Sequence, residues 1–372
     1  MPVRIVAVLQ IDPPESGQAV MNRILLEARF TGIELVHVDA SFSQKMSEMR
    51  SVAWRKLWKL LWLPARIIAA KLRSGSGILL YTPSGPTRSA VLKDAWILGL
   101  SRPFFKKTIF HVHASGLGDY LNSTQAIWAK LARRALAQPN WLVRLSPSTP
   151  RDDTALAAQH TACIPNCIRN EAELLAIHRA PTAGSALRIL FVGLHVPAKG
   201  LRLLLDAIIE LKHQGVVVTL ETLGSFSDSA FTQECRDAIQ SENLNEHVRF
   251  LGSLFGPDKI DAFARADLMV FPTYFDSETL PLVVIEAMAA GLPVISTRWR
   301  GIQDLIDDGR TGFLVEPRQT APVVAAIRTI HEDRNLLRAL GDAARERFKQ
   351  YYSQAAFRSA WQQTLFNIVE TP

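Results

Sequence analysis

The stretch Phe271-Pro-Thr-Tyr-Phe-Asp-Ser-Glu278-Thr-Leu-Pro-Leu-Val-Val-Ile-Glu286-Ala-Met-Ala-Ala-Gly-Leu-Pro-Val-Ile-Ser296 leaves one apolar strand, Leu268–Phe271, crosses a loop and a helix over Leu282–Ala290, and enters a second strand at Pro293–Ser296. A strand, a helix and a strand in that order make a βαβ unit, which belongs to a parallel sheet. Two glutamates stand in it, one in the loop and one on the helix, with seven residues between them. A carboxylate has two oxygens and can accept two hydroxyl hydrogens at once, which suits the diol of a ribose or a sugar, at roughly 1.5–3 kcal/mol per charged hydrogen bond. The amides between the two glutamates open the helix, where free N–H groups and the positive dipole end suit a phosphate. Pro281 has no N–H to give, which leaves the amides of Thr279, Leu280, Leu282 and Val283. Taken alone, the stretch reads better as an amphipathic α/β unit whose glutamates face water.

The same alternation extends in both directions. Upstream, Ile189-Leu-Phe-Val-Gly193-Leu-His-Val-Pro-Ala-Lys199-Gly200 ends a strand in glycine and starts a helix with Lys199. A lysine at the positive end of a helix is poorly placed unless an anion lies there. The β-α alternation restarts at Leu187, after a segment with no apolar rhythm that carries Pro181-Thr-Ala-Gly-Ser. It predicts domains at 1–170 and 187–350, a linker at 171–186, and a helix over 351–372 packing back toward the first domain. Two successive runs of βαβ units predict an α/β fold with two Rossmann-like, doubly wound parallel sheets facing across a cleft. A helix broken or kinked at Pro64 is expected over Ser47–Arg73, and a single helix over Ser123–Ala137.

A chain of 372 residues, 48% apolar and 21% charged, is too ordered in composition for a disordered segment and too long for one core. No run is long and apolar enough to read as a membrane span, and the N-terminus reads as a first strand rather than a signal peptide. Three cysteines (Cys163, Cys167, Cys235) without neighbouring ligands predict small apolar residues rather than a zinc site, and a cytoplasmic setting. Residues 1–170 hold 22 Lys+Arg against 10 Asp+Glu, and the remainder 20 against 25. The basic half should meet something anionic.

The Glu278–Glu286 stretch closely resembles the retaining nucleotide-sugar glycosyltransferases of family four, which have the GT-B fold and carry Glu-x7-Glu followed by Ala-Met-Ala-x-Gly-x-Pro-Val. The resemblance implies that Glu278 binds hydroxyls of the donor sugar and Glu286 the nucleotide ribose, with Thr279, Leu280, Leu282 and Val283 near the diphosphate. The Gly193–Lys199 stretch is similar to the family's Gly-Arg-x5-Lys-Gly, with Gly193 and Lys199 in place and Leu194 where Arg is usual. Either His195 partly replaces that cation or the site works with one. In Ile109-Phe-His111-Val-His113 the resemblance assigns His113 to the donor sugar and its phosphate and leaves His111 structural. Pro13-Pro-Glu-Ser-Gly17 resembles the family's glycine loop over the donor phosphates, and Ile164-Pro-Asn166 its domain junction.

These residues imply a metal-independent hexosyltransferase using a nucleotide-diphosphate sugar as co-substrate, without a cofactor, on a saccharide or lipid-linked acceptor in cell-surface glycan biosynthesis. Metal-dependent transferases of the other common fold need Asp-x-Asp, which does not occur. Two other readings stay open: an epimerase or hydrolase of the same architecture, with Asp94 and Asp119 as its acid/base candidates, and a non-catalytic membrane- or sugar-binding relative. Nucleic acid is not expected as a partner. Between Lys45 and Arg73, Trp54, Trp58 and Trp62 recur every fourth residue, with Arg55, Lys59 and Arg66 on the flank. This reads either as an interfacial helix meeting an anionic membrane surface or the acceptor, peripheral on the inner face of the cytoplasmic membrane, or as a core-packed helix with solvated lysines.

Overall fold

The computed structural model describes residues 2–12, 16–42, 54–178 and 186–371, without the Arg55 side chain. Two compact units make up the chain: Met1–Arg169 with Gln354–Pro372, and Asn170–Ser353. Residues 13–15 of the Pro13–Gly17 loop, residues 47–53 of the tryptophan stretch and residues 179–185 of the segment read as a linker lie outside the described residues.

The first unit runs β1 (Val3–Leu9), α1 (Gly17–Glu27), β2 (Ile33–Asp39), α2 (Trp54–Ser74), β3 (Ile78–Tyr81), α3 (Arg88–Ser101), β4 (Lys107–His111), α4 (Leu117–Ser123), α5 (Ile127–Leu136), β5 (Trp141–Arg144), α6 (Asp152–Ala155) and β6 (His160–Cys163). Its strands form one parallel sheet in the order β2-β1-β3-β4-β5-β6. The central strands are near-continuous apolar runs because helices cover both faces. On one face, Leu63 and Ile67 of α2, Val91, Ile97 and Leu98 of α3, and Ala132 and Leu136 of α5 pack on Val6, Leu79, Phe110 and Leu142.

The second unit runs α7 (Glu171–Leu175), β7 (Leu187–Val192), α8 (Leu201–His213), β8 (Val218–Leu223), α9 (Ser229–Ser241), β9 (Val248–Phe250), α10 (Gly256–Arg265), β10 (Leu268–Phe271), α11 (Leu282–Ala289), β11 (Val294–Thr297), α12 (Ile302–Leu305), β12 (Gly312–Val315), α13 (Thr320–Glu332) and α14 (Arg334–Tyr351). Its parallel sheet has the order β12-β11-β10-β7-β8-β9, the 3-2-1-4-5-6 order of a dinucleotide-binding sheet read from the other edge. The two doubly wound sheets make the GT-B fold.

Helix α15 (Gln354–Glu370) returns to the first unit. Trp361, Leu365 and Ile368 are fully buried there. The Trp361 ring stands edge-on to His111 at 5.0 Å. Lys107 Nζ donates to the Ile368 carbonyl at 2.9 Å, and Gln362 bonds both backbone groups of Thr31.

Local readings fail where tertiary packing decides. Pro64 lies inside an uninterrupted α2 rather than dividing it. Leu63 and Ile67, on either side of the proline, are both in the core and hold the helix across the missing hydrogen bond. Ser123–Ala137 is not one helix: α4 starts at a left-handed Gly116 and ends at an extended Thr124, and α5 begins after it. Glu171–Leu175, read as linker, is helical. Cys167 and Cys235 are buried as expected of small apolar residues, but Cys163 is exposed.

Because the whole Trp361 ring system is inside the first unit, Trp361→Ala should lose about 3–5 kcal/mol of stability. Urea unfolding would show this, and an unchanged midpoint would contradict the placement of α15.

Candidate functional site

In the second sheet, β7 and β10 are neighbours whose onward connections run in opposite directions. Ligands of doubly wound sheets sit beyond the C-terminal ends of the strands at such a switch point. Gly193 to Lys199 follows β7, and the loop 272–281 follows β10, so the sequence motifs converge on this place.

The loop after β10 is fixed by its neighbours. Ser296 Oγ donates to the Phe271 carbonyl and Thr297 Oγ1 to the Thr273 carbonyl. Tyr274 N donates to the Ala198 carbonyl at 2.8 Å, and Trp299 Nε1 to the Phe275 carbonyl at 2.9 Å. Gly200 closes the other side at φ +85°, and a Cβ there would lie 2.3 Å from the Pro272 carbonyl oxygen. Only glycine lets the two backbones approach so closely. The result is a direct ion pair between Lys199 Nζ and Glu278 Oε2, both largely buried. The ammonium also lies over the Phe271 and Phe275 rings, 5.3 and 4.9 Å from their centroids.

Glu286 projects from the middle of α11 and is buried. Lys259 of α10 donates to its Oε1 at 2.7 Å. This lysine was not singled out in the sequence; nothing in the amphipathic pattern of its helix distinguishes it from a solvated one. The far end of α11 is held by Arg345 of α14, whose guanidinium donates to the Ala289 and Ala290 carbonyls at 3.2 and 2.9 Å. Gly341 of α14 permits this approach, since a Cβ there would meet the Gly291 carbonyl oxygen at 2.4 Å. Anchored at its C-terminal end, α11 presents its first turn, with Leu282 and Val283 half-buried, beside Pro281. The first-turn N–H groups of a helix have no partners within the helix. Thr279 and Leu280 just before it are buried.

Leu194 is exposed, and His195 does not stand in for a cation there. The His195 side chain is 0% exposed and packed against Phe191, Phe226 and Phe250. Desolvation lowers its pKa to about 4, so it is neutral at pH 7. Neither ring nitrogen has a hydrogen-bond partner among the described residues. His195 is an aromatic core residue, and Lys199 is the cation of this loop.

In the first unit, His111 and His113 lie on one face at the end of β4. Their rings are 4.1 Å apart, and His113 Nε2 and His111 Nδ1 share a hydrogen bond of 3.2 Å. Desolvation lowers the pKa of His113 to about 3, and that of His111 well below its ordinary value, with His113 adding to the effect. The pair is neutral and shares one proton across the bond. Gly17 opens α1, whose N-cap Ser16 accepts from Ala19 N at 3.2 Å. Asp94 is not placed for acid/base chemistry. It is 0% exposed and accepts from Tyr81 Oη (2.7 Å), Ser84 N (2.6 Å) and Ser84 Oγ (3.1 Å). Asp119, the other candidate, is exposed on α4.

Trp54, Trp58 and Trp62 project outward from α2 at 78%, 57% and 53% exposure. The helix therefore packs through Leu63 and Ile67 and shows its tryptophans to solvent, which removes the core-packed reading of those rings. Lys59 and Arg66 reach back to the Ser41 and Asp39 carbonyls at 3.3 Å each; the Arg55 side chain lies outside the described residues. Among the described residues no helix is long and apolar enough to cross a membrane, and no cluster of three potential metal ligands occurs.

Residues 186–333 match the family model described as glycosyl transferases group 1. The chain is 43% identical over 110 residues to the sulfoquinovosyl transferase SQD2 of Arabidopsis thaliana, an alignment spanning 29% of this chain and 21% of that protein. The chain thus spans about a fifth of that relative's length. Among solved structures, sucrose-phosphate synthase from Thermosynechococcus elongatus superposes with a TM-score of 0.71 at 18% identity, covering 99% of both chains. Anabaena HepE in complex with UDP and glucose superposes with a TM-score of 0.68 at 18% identity, covering 99% of this chain and all of the other.

The histidines give a pH dependence. In the unfolded chain they take up protons near pH 6.5, whereas folded His113 and His195 stay neutral until about pH 3 and 4. The unfolded state binds more protons in that window, so stability is full above about pH 6.5 and falls as pH drops through it. His195→Phe should keep the aromatic packing, be at least as stable at pH 7.5, and lose less stability between pH 7.5 and pH 5 than the parent. Equal losses in urea titrations would contradict the buried neutral assignment.

Proposed function

We propose that this chain, a GT-B protein whose residues 186–333 match the glycosyl transferases group 1 family model, is a retaining, metal-independent glycosyltransferase of glycan biosynthesis. It moves a hexose from a nucleotide-diphosphate sugar to a saccharide or lipid-linked acceptor. The observation that carries this reading is the pair of buried glutamates, each held by a lysine, on the two sides of α11's start. HepE, of the same fold, is described in complex with UDP and glucose.

In this reading the second unit binds the donor. Glu286 accepts the ribose hydroxyls and Glu278 those of the transferred sugar. The diphosphate lies against Lys199 and the amides of Leu282 and Val283, which stabilise the charge that builds on the leaving group. Gly193 and Gly17 give the backbone close approach to it. The first unit binds the acceptor, and His113 acts as a neutral imidazole toward the sugar and its phosphate, donating or accepting one hydrogen bond. In this reading transfer occurs on the front face, and the departing phosphate takes the proton of the acceptor hydroxyl. The outward tryptophans of α2 and the surrounding cations support peripheral contact with an anionic membrane surface, and with it a lipid-linked acceptor.

The exposed Leu194 favours one second reading, a nucleotide-sugar binder with little turnover. A radiolabelled-sugar transfer assay with lipid extract as acceptor separates the two. Asp94, tied to Tyr81 and Ser84, removes the main acid/base candidate for an epimerase.

A thermal-shift panel of UDP, GDP and ADP, each free and sugar-linked, tests donor binding, because a ligand raises the melting temperature by mass action. Glu286→Ala should weaken the responding nucleotide by about 10- to 100-fold, the loss of one charged hydrogen bond. Unchanged affinity by calorimetry would sink the ribose assignment.

A further inference from the structure

Helices α2, α3 and α5 lie side by side on one face of the first sheet. Each buries one stripe, yet each is also apolar on the side facing away from the core. Twelve of the eighteen exposed large apolar side chains among the described residues fall on these helices and the turn after α3, including Trp58, Trp62, Trp96, Phe104 and Leu131. The sole carboxylate on the three helices is the buried Asp94; every other charge on them is a lysine or arginine.

Between α3 and α5 this layer opens into a groove of about 850 Å³, lined by Leu92, Trp96, Phe105, Trp128 and Leu131 among others. The volume is that of a small-molecule pocket. Arg102 and Asn140 in its lining are already committed. Arg102 donates to the Ala135, Ala137 and Gln138 carbonyls at 3.0, 2.6 and 2.6 Å. Asn140 bonds Thr108 N at 2.8 Å and Gln159 at 2.9 Å. A sugar or nucleotide would find few partners. What the groove does offer is apolar surface and the exposed cations Lys106 and Arg134, which have no ion-pair partner among the described residues; no acid lines it. Phe105, Lys106, Asn140 and Gln159 stand at the N-terminal ends of β4, β5 and β6, whereas His113 follows the C-terminal end of β4. The groove is therefore at the opposite end of the sheet from His113.

We propose that this groove is a lipid site. It takes a hydrocarbon chain of an anionic membrane lipid, with the lipid phosphate against Lys106 and Arg134, while the α2–α3–α5 layer rests on the bilayer around it. The inference goes beyond the transferase reading and does not depend on it: the groove opens at the end of the first sheet away from His113 and serves as an anchor, not as the place where an acceptor reacts. Charge selects the occupant. A second copy of the same face would bring cations against cations, while an anionic bilayer supplies both the phosphates and the apolar phase.

The test is flotation of the purified full chain with vesicles of phosphatidylcholine alone or mixed with phosphatidylglycerol, the latter also carrying acyl-chain bromines. Binding should need phosphatidylglycerol, and the bromines should quench tryptophan fluorescence. Leu131→Asp and the double variant Lys106→Glu/Arg134→Glu should each lower vesicle partition at least tenfold. Trp96→Phe/Trp128→Phe should bind vesicles but lose part of the quenching. The nucleotide-induced thermal shift is measured in the same variants and reports both folding and donor binding. If the shift persists while all variants float like the parent, or if loss of Trp96 and Trp128 leaves the quenching undiminished, the lipid site is wrong and the donor reading stands. A lipid-free dimer that does not float would overturn it as well.

Discussion

Two buried lysine–glutamate pairs hold the second unit's site together, Lys199 with Glu278 and Lys259 with Glu286. A carboxylate taken out of water without a partner is strongly destabilising, and removing one member of such a pair typically costs about 3–5 kcal/mol. Each glutamate is thus oriented and held inside by a cation on a different element. The rest of the local architecture serves this placement. Gly200 lets the Lys199 turn close on Pro272, Ser296 and Thr297 fasten the loop from β11, and Arg345 fixes the far end of α11.

The first unit works with the reverse economy of charge. Its histidine pair is neutral, its buried Asp94 and Asp152 are held by backbone amides and hydroxyls, and its buried Asp153 pairs with Arg144 and Arg151. Asp152 accepts from Gly116 N at 3.0 Å and Gly118 N at 2.7 Å, shaping the turn into α4, and Asp94 ties β3 to α3 through Tyr81 and Ser84. Its cations are gathered instead on the outer helical layer, among side chains that would ordinarily be inside. The asymmetry of charge between the two halves of the sequence has a location in space: one layer of one unit.

The alternation of apolar strands and amphipathic helices made the two doubly wound sheets legible, because period-2 and period-3.6 patterns report directly on which face is buried. The glutamate pair, Lys199 and the glycines were legible through their resemblance to a family's motifs, which stand at a strand end and a helix start. What stayed hidden depends on partners distant in sequence. Lys259 looks like any helical lysine until α10 is placed beside α11. His195 sits where a cation is usual, but its character is set by Phe191, Phe226 and Phe250, which come from three different elements or loops. Asp94 looked like a candidate acid, and only the fold reveals that Tyr81 and Ser84 surround it. Pro64 carries a strong local signal for a break, which core packing of Leu63 and Ile67 overrides.

Helix α15 makes the first unit discontinuous: its last layer is the final stretch of the chain, whereas the second unit is one uninterrupted segment. During synthesis the second unit can finish folding while the first still lacks the indole that covers His111. The unit whose strands come first is thus completed after the second, and until α15 has been made it exposes an unfinished apolar surface. Premature termination between Ser353 and Trp361 would leave the second unit whole while removing the indole that covers His111.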